Sequence, residues 1–109
     1  VEQDYQSDSR FSVMYVRSKG VSGYGPVRIR LELAQKGIKE YLIESAFDEN
    51  QEEFDWDEEV DRLIEKKLKN LDLSDMKSRN KVMGFLQRRG FNLDQIYSGF
   101  NRLKEKTSV

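Results

Sequence analysis

The chain has 109 residues, 36% of them charged and 37% hydrophobic, with a formal net charge of −1. It has no histidine and no cysteine. That removes the commonest general base, disulfides, thiolate chemistry and cysteine-ligated zinc. No apolar run reaches the length of a membrane span and no leader pattern opens the chain, so we expect a cytoplasmic, non-enzymatic protein that needs no cofactor and contacts no membrane.

Charge is segregated along the sequence. Asp48–Glu59 holds eight acids and no base, whereas the remainder carries 19 bases against 12 acids. Such segregation suits contacts with charged partners better than the near-neutral total suggests.

In chain order, Val1–Ser7 is polar and reads as the remnant of an upstream segment, because the chain opens on valine. Asp8 is placed to cap a first helix running to about Ser18, with Phe11, Met14 and Tyr15 on one face. Lys19–Gly25, with three glycines, reads as a loop. Pro26 then suits a first helical position and Gly37 a left-handed stop, which predicts a second helix over Pro26–Lys36. A third helix runs from Lys39 to Phe47, turning Leu42, Ile43, Ala46 and Phe47 inward.

The acidic stretch reads as a linker, after which Asp55 or Asp57 caps a fourth helix. Val60, Leu63, Ile64, Leu68 and Leu71 make its apolar stripe. Ser74 or Asp75 starts a fifth helix that stops at Gly90. Asn92 caps the sixth, with Gln95 three residues on as a capping box and Ile96, Phe100 and Leu103 as the buried row. No alternating pattern competes, so the fold class is all-α.

An internal repeat appears at an offset of 53 residues: Leu33, Gly37, Ile43, Ser45 and Phe47 fall on Leu86, Gly90, Ile96, Ser98 and Phe100. Ile29 falls on Val82 and Lys36 on Arg89, and the same offset sets Phe11 on Ile64 and Tyr15 on Leu68. The chain therefore reads as a tandem repeat of two three-helix modules, residues 8–48 and 57–106. An acidic linker at 49–56 joins them, and a disordered tail follows at 107–109. The second helix has two apolar stripes, Ile29/Leu33 and Val27/Leu31/Ala34, but the fifth has one. A repeat with neighbours on both sides needs two stripes and a terminal one needs one, so the first module is expected to pack against a further module upstream.

Candidate sites follow from charge. The glycine loop before Pro26 lacks the Gly-Lys-Ser/Thr ending of a nucleotide loop and reads as a turn. The acids at 55–59 lack calcium-loop spacing and read as caps, leaving no metal site. The basic residues carry more: Lys81, Arg88 and Arg89 share one side of the fifth helix with no acid three or four residues away. Arg28, Arg30 and Lys36 stand on the second helix. Arg62, Lys66 and Lys69 line the solvent side of the fourth, where acids at four-residue spacing suit ordinary helical pairs. Tyr24 and Trp56, read as loop residues, are candidates to stack on a base or partner.

The blocks Asp8-Ser-Arg-Phe11, Gly23-Tyr-Gly-Pro-Val-Arg-Ile-Arg30, Leu33-Ala-Gln-Lys-Gly-Ile38 and Phe85-Leu-Gln-Arg-Arg-Gly-Phe91, closed by Ile96 and Phe100, resemble the RecX regulatory family. The gamma-proteobacterial versions are the most similar, and their usual N-terminal module is expected to be missing from this stretch. The resemblance implies a monomeric, non-enzymatic regulator of the RecA recombinase. Such a protein would lodge in the groove of the RecA–DNA filament, with the filament's single-stranded DNA in reach, and suppress ATPase, strand exchange and co-protease action. On face geometry, the partner-binding candidates are Arg28, Arg30, Lys36, Lys81, Arg88 and Arg89. A helix-turn-helix-like DNA-binding module and a non-catalytic helical scaffold are the competing readings.

Overall fold

The computed structural model describes residues 5–70 and 74–107. Its helices are α1 (Tyr5–Val21), α2 (Pro26–Gln35), α3 (Glu40–Glu49), α4 (Trp56–Lys67), α5 (Met76–Arg89) and α6 (Leu93–Thr107), with a 3-10 turn at Leu68–Asn70. No strand occurs among the described residues. The all-α tandem of two three-helix modules is what the sequence predicts. Of the predicted upstream remnant at 1–7 and disordered tail at 107–109, Tyr5–Ser7 belong to α1 and Thr107 ends α6, while Val1–Asp4 and Ser108–Val109, like the predicted inward Leu71, lie outside the described residues.

Each module has its own core. The first gathers Val16, Ile29, Leu33, Ile38, Leu42, Ile43, Ala46 and Phe47. The second gathers Val60, Leu63, Ile64, Val82, Leu86, Phe91, Ile96 and Phe100. Trp56 packs against both. Its indole lies 4.6 Å from the Phe54 ring and 5.8 Å from that of Phe47.

Caps follow the predicted chemistry. Asp55 accepts from the Asp57 and Glu58 N–H groups at 3.0 and 3.3 Å, and Asp75 from Lys77 N–H at 3.2 Å. Asn92 and Gln95 bond reciprocally at 3.0 and 2.8 Å, satisfying two otherwise orphaned donors. Gly37 and Gly90 turn the chain out of α2 and α5 at φ 85 and 102.

α1 departs from expectation. It starts at Tyr5, so Asp8 sits inside its first turn, and it runs through Gly20 rather than ending at Ser18. Phe11 and Met14 are 44% and 67% exposed, while Ser12 and Val16 are fully buried. The reason is close packing: small residues face inward, and a Cβ on Gly20 would lie 2.7 Å from the Phe54 ring. The first helices of the two modules therefore do not correspond at the offset of the others. The row Ser12–Val16–Gly20 matches Val60–Ile64–Leu68, so Phe11 does not match Ile64, nor Tyr15 Leu68. The second module therefore spaces this row from that of its next helix with five more residues than the first.

The acidic stretch is partly helical, since Asp48 and Glu49 close α3. Buried Asn50 follows, donating to the Val13 and Ala46 carbonyls at 3.1 and 2.8 Å and tying α3 to α1. Arg102 grips Asp61 with one edge of its guanidinium, Nε and Nη2 donating at 2.8 to 3.1 Å, and ties α6 to α4. That hydrogen bonding raises the arginine pKa above its ordinary value.

The modules meet end to end. α2 has no side-chain cap of its own: Gly25 stands at its N-cap and Pro26 follows. The Gly25 and Val27 N–H groups instead donate to the Arg89 and Gly90 carbonyls at 2.6 and 2.9 Å. The C-terminus of α5 thus caps the N-terminus of α2, negative pole to positive pole. No side chain fits between them, because a Cβ on Gly25 would meet the Gly90 carbonyl carbon at 2.4 Å and one on Gly90 would meet the Arg28 Cβ at 2.3 Å. The resulting body measures 55 × 25 × 19 Å with a radius of gyration of 16.0 Å, against roughly 13 Å for a compact chain of this length.

Candidate functional site

The α5–α2 joint brings basic residues from both modules around one ring. Tyr24 carries the Arg28 guanidinium 4.6 Å from its centroid, that of Arg89 at 4.7 Å and the Lys19 ammonium at 5.0 Å. Arg28 also donates to the Arg88 carbonyl at 3.2 Å and pairs with Glu32 at 3.0 Å. Arg89 reaches back to the Ser22 carbonyl at 3.4 Å. Tyr24 thus serves as a platform for three cations, which rest on the negative face of its ring.

Beyond the joint, α4 and α5 diverge around Phe85. One side of Phe85 opens into a groove of about 500 Å³ bordered by Arg62, Lys66, Lys67 and Arg89. A smaller space of about 340 Å³ adjoins it, bordered by Lys67, Lys81 and Arg88. Lys67 and Arg89 lie 4.4 and 5.3 Å from the Phe85 centroid. Among the described residues, Lys66, Lys67, Lys81, Arg88 and Arg89 have no carboxylate partner within ion-pair distance. Arg62 bonds to Glu59, three residues back rather than four, at 2.6 and 3.1 Å, which raises its pKa.

The predicted residues therefore separate into groups. Lys81, Arg88 and Arg89 come together, and Arg28 joins them at the joint. Lys36 lies apart, 5.7 Å from the Tyr15 ring. Arg30 also stands apart, paired with Glu44 and lying 4.2 Å from the Phe47 ring. Trp56, expected in a loop, is instead the first residue of α4 and packs inward on both cores. Spacing within α4 alone does not single out Lys67. Its signal was its register with Lys19, hidden by the shifted correspondence of α1 and α4.

In the first module the matching face carries an acid, Glu32, beside Lys19, Arg28 and Lys36. The Tyr15 hydroxyl donates to Glu32 at 2.6 Å. Burial, then this bond, pushes the phenol up to about 12. The tyrosine bond, followed by Arg28, holds the Glu32 carboxyl below its ordinary value despite the opposing effect of burial. The second apolar stripe of α2 remains uncovered, with Val27 52% and Leu31 58% exposed. Among the described residues, no helix is long and apolar enough to cross a membrane.

Comparison with known proteins matches residues 7–46 to the family model described as RecX, second three-helix domain. Residues 55–98 match the one described as RecX, third three-helix domain. Similar curated proteins include the Regulatory protein RecX of Cronobacter sakazakii, 39% identical over 95 residues, 87% of this chain and 56% of the relative. That of Vibrio parahaemolyticus is 40% identical over 96 residues, 88% of this chain and 61% of the relative. That of Legionella pneumophila is 41% identical over 100 residues, 92% and 65% respectively. The chain thus spans about three-fifths of the length of these relatives.

Proposed function

The chain belongs to the RecX family of regulatory proteins, and from that premise we propose that it is a negative regulator of the RecA recombinase. It binds in the groove of the RecA–DNA filament and damps ATPase, strand exchange and co-protease action. The observation that carries this reading is the joined cationic face on an elongated body. Two modules fixed end to end over 55 Å offer an extended surface able to bridge neighbouring subunits of a filament. Lys81, Arg88 and Arg89 supply the unneutralised charge for it, and Arg28, paired with Glu32, adjoins them at the joint. Lys36 extends the face weakly, and Arg30, held by Glu44, contributes least.

The test is ATP hydrolysis by RecA on single-stranded DNA, titrated with this chain and with a Lys81→Ala/Arg88→Ala variant. These two side chains make no tertiary hydrogen bond that the fold depends on, so the variant should keep its helical signal. Inhibition by the parent chain, weakened at least fivefold in the variant, supports both the regulator and its face. Equal inhibition by the two proteins moves the contact elsewhere. Inhibition by neither, with both folded, counts against the regulator reading for this span of the family.

A further inference from the structure

The repeat provides an internal comparison, since the α1–α2 and α4–α5 faces are the same place in the fold. Using the correspondence of buried rows, Tyr15 and Lys19 match Leu63 and Lys67, while Arg28, Glu32 and Lys36 match Lys81, Phe85 and Arg89. Three neutral positions of the first face, Met14, Ser18 and Gln35, are Arg62, Lys66 and Arg88 in the second. The single acid, Glu32, becomes Phe85. The first face is closed by Tyr15 and Arg28 on Glu32. The second is left open, cationic and floored by Phe85 and the flank of Leu63.

Helix packing does not require this difference, because the first module makes the same pair of helices without it. Holding Lys66, Lys67, Lys81, Arg88 and Arg89 together without paired acids is a cost to the isolated chain that an anionic ligand would offset. We propose that the groove between α4 and α5 binds a short acidic segment of a protein partner, carboxylates on its rim and an apolar side chain against Phe85. This deepens the regulator reading and rests on it for the partner being a protein.

A nucleic-acid strand fits the same site less well. A long polyanion following α4 would run into Asp57, Glu58 and Glu59 in its first turn. A short peptide confined to the basic end of α4 avoids them. The space of about 500 Å³ accommodates several side chains, and the mixed apolar and cationic lining suits carboxylates interleaved with leucine.

The experiment measures fluorescence anisotropy of a labelled twelve-residue peptide repeating Asp-Leu-Glu, without RecA. A labelled twelve-nucleotide thymidine strand is measured alongside. The expected result is micromolar, salt-sensitive peptide binding that exceeds strand binding. Phe85→Glu and Lys67→Glu/Arg88→Glu should each weaken it at least tenfold, and Lys39→Glu, on the exposed start of α3, should leave it unchanged. The first module shows that the fold accepts a carboxylate where Phe85 stands, and a retained melting transition verifies this for the variant. Absent peptide binding, binding indifferent to the groove variants, or tighter binding of the thymidine strand would each overturn the proposal. Because RecA is absent, such failure beside preserved ATPase inhibition rejects the groove assignment alone.

Discussion

Tyr15 and Glu32 show how one residue pair fixes the character of a face. The phenol donates to a carboxylate that also pairs with Arg28, and Arg28 reaches the Arg88 carbonyl of the other module. The pair therefore links the first core to the joint. Its two shifts set opposite pH limits. The raised phenol contributes stability that is whole below pH about 10 and lost as pH climbs through about 12. The lowered carboxyl contributes stability present above the ordinary glutamate range and lost as pH falls through its depressed value. Spectrophotometric titration should show one tyrosine ionising near pH 12, and Tyr15→Phe should delete that phase. Survival of the phase in Tyr15→Phe would mean that the shifted phenol is another tyrosine. Sequence revealed that Lys81, Arg88 and Arg89 lack local acids, since that depends on spacing along one helix. It did not reveal that Tyr15 meets Glu32, a contact between helices whose register is fixed by α1 packing.

At the scale of elements, the reliable signals were those closed within one turn. Asp55, Asp75, Asn92 and Gln95 act locally, so their chemistry determines where α4, α5 and α6 begin. Asn92→Ala removes one bond of a reciprocal pair and leaves the Gln95 N–H without its side-chain acceptor. It should destabilise the chain by about 1 kcal/mol, measured as a lower urea midpoint with an unchanged slope. An unchanged midpoint would show that solvent replaces the cap at no cost. The inward face of α1 is hidden in the sequence because its row consists of Ser12, Val16 and Gly20, of which only valine is strongly apolar. Phe11 and Met14 outweigh that row in hydrophobicity, yet lie on the outer side. Close approach, rather than hydrophobicity, chose the face: Ser12 turns its hydroxyl onto the Asp8 carbonyl at 2.7 Å, and Gly20 admits Phe54.

At the scale of the molecule, the joint between α5 and α2 decides whether the chain acts as one body or two. Gly25 and Gly90 looked like turn residues in the sequence, and both are; their second role depends on backbone 65 positions away and has no local signature. Two main-chain hydrogen bonds and the absence of both Cβ atoms let helix ends abut directly. Gly25→Ala retains an allowed backbone geometry, φ −92 and ψ 168, so its effect isolates the contact with Gly90. A methyl group there has no space and must part the helix ends, stripping α2 of its only caps. We expect a loss of about 1–3 kcal/mol, the usual cost of overpacking, with most helical signal retained because both cores are intact. Small-angle scattering should report a radius of gyration above that of the parent. Inhibition of RecA should fall although no basic residue has changed, since cations on two independently moving modules no longer present one face. If Gly25→Ala leaves scattering and inhibition unchanged while its stability drops, the modules are held together by the Trp56 cluster instead, and the joint is a cap without a role in shape.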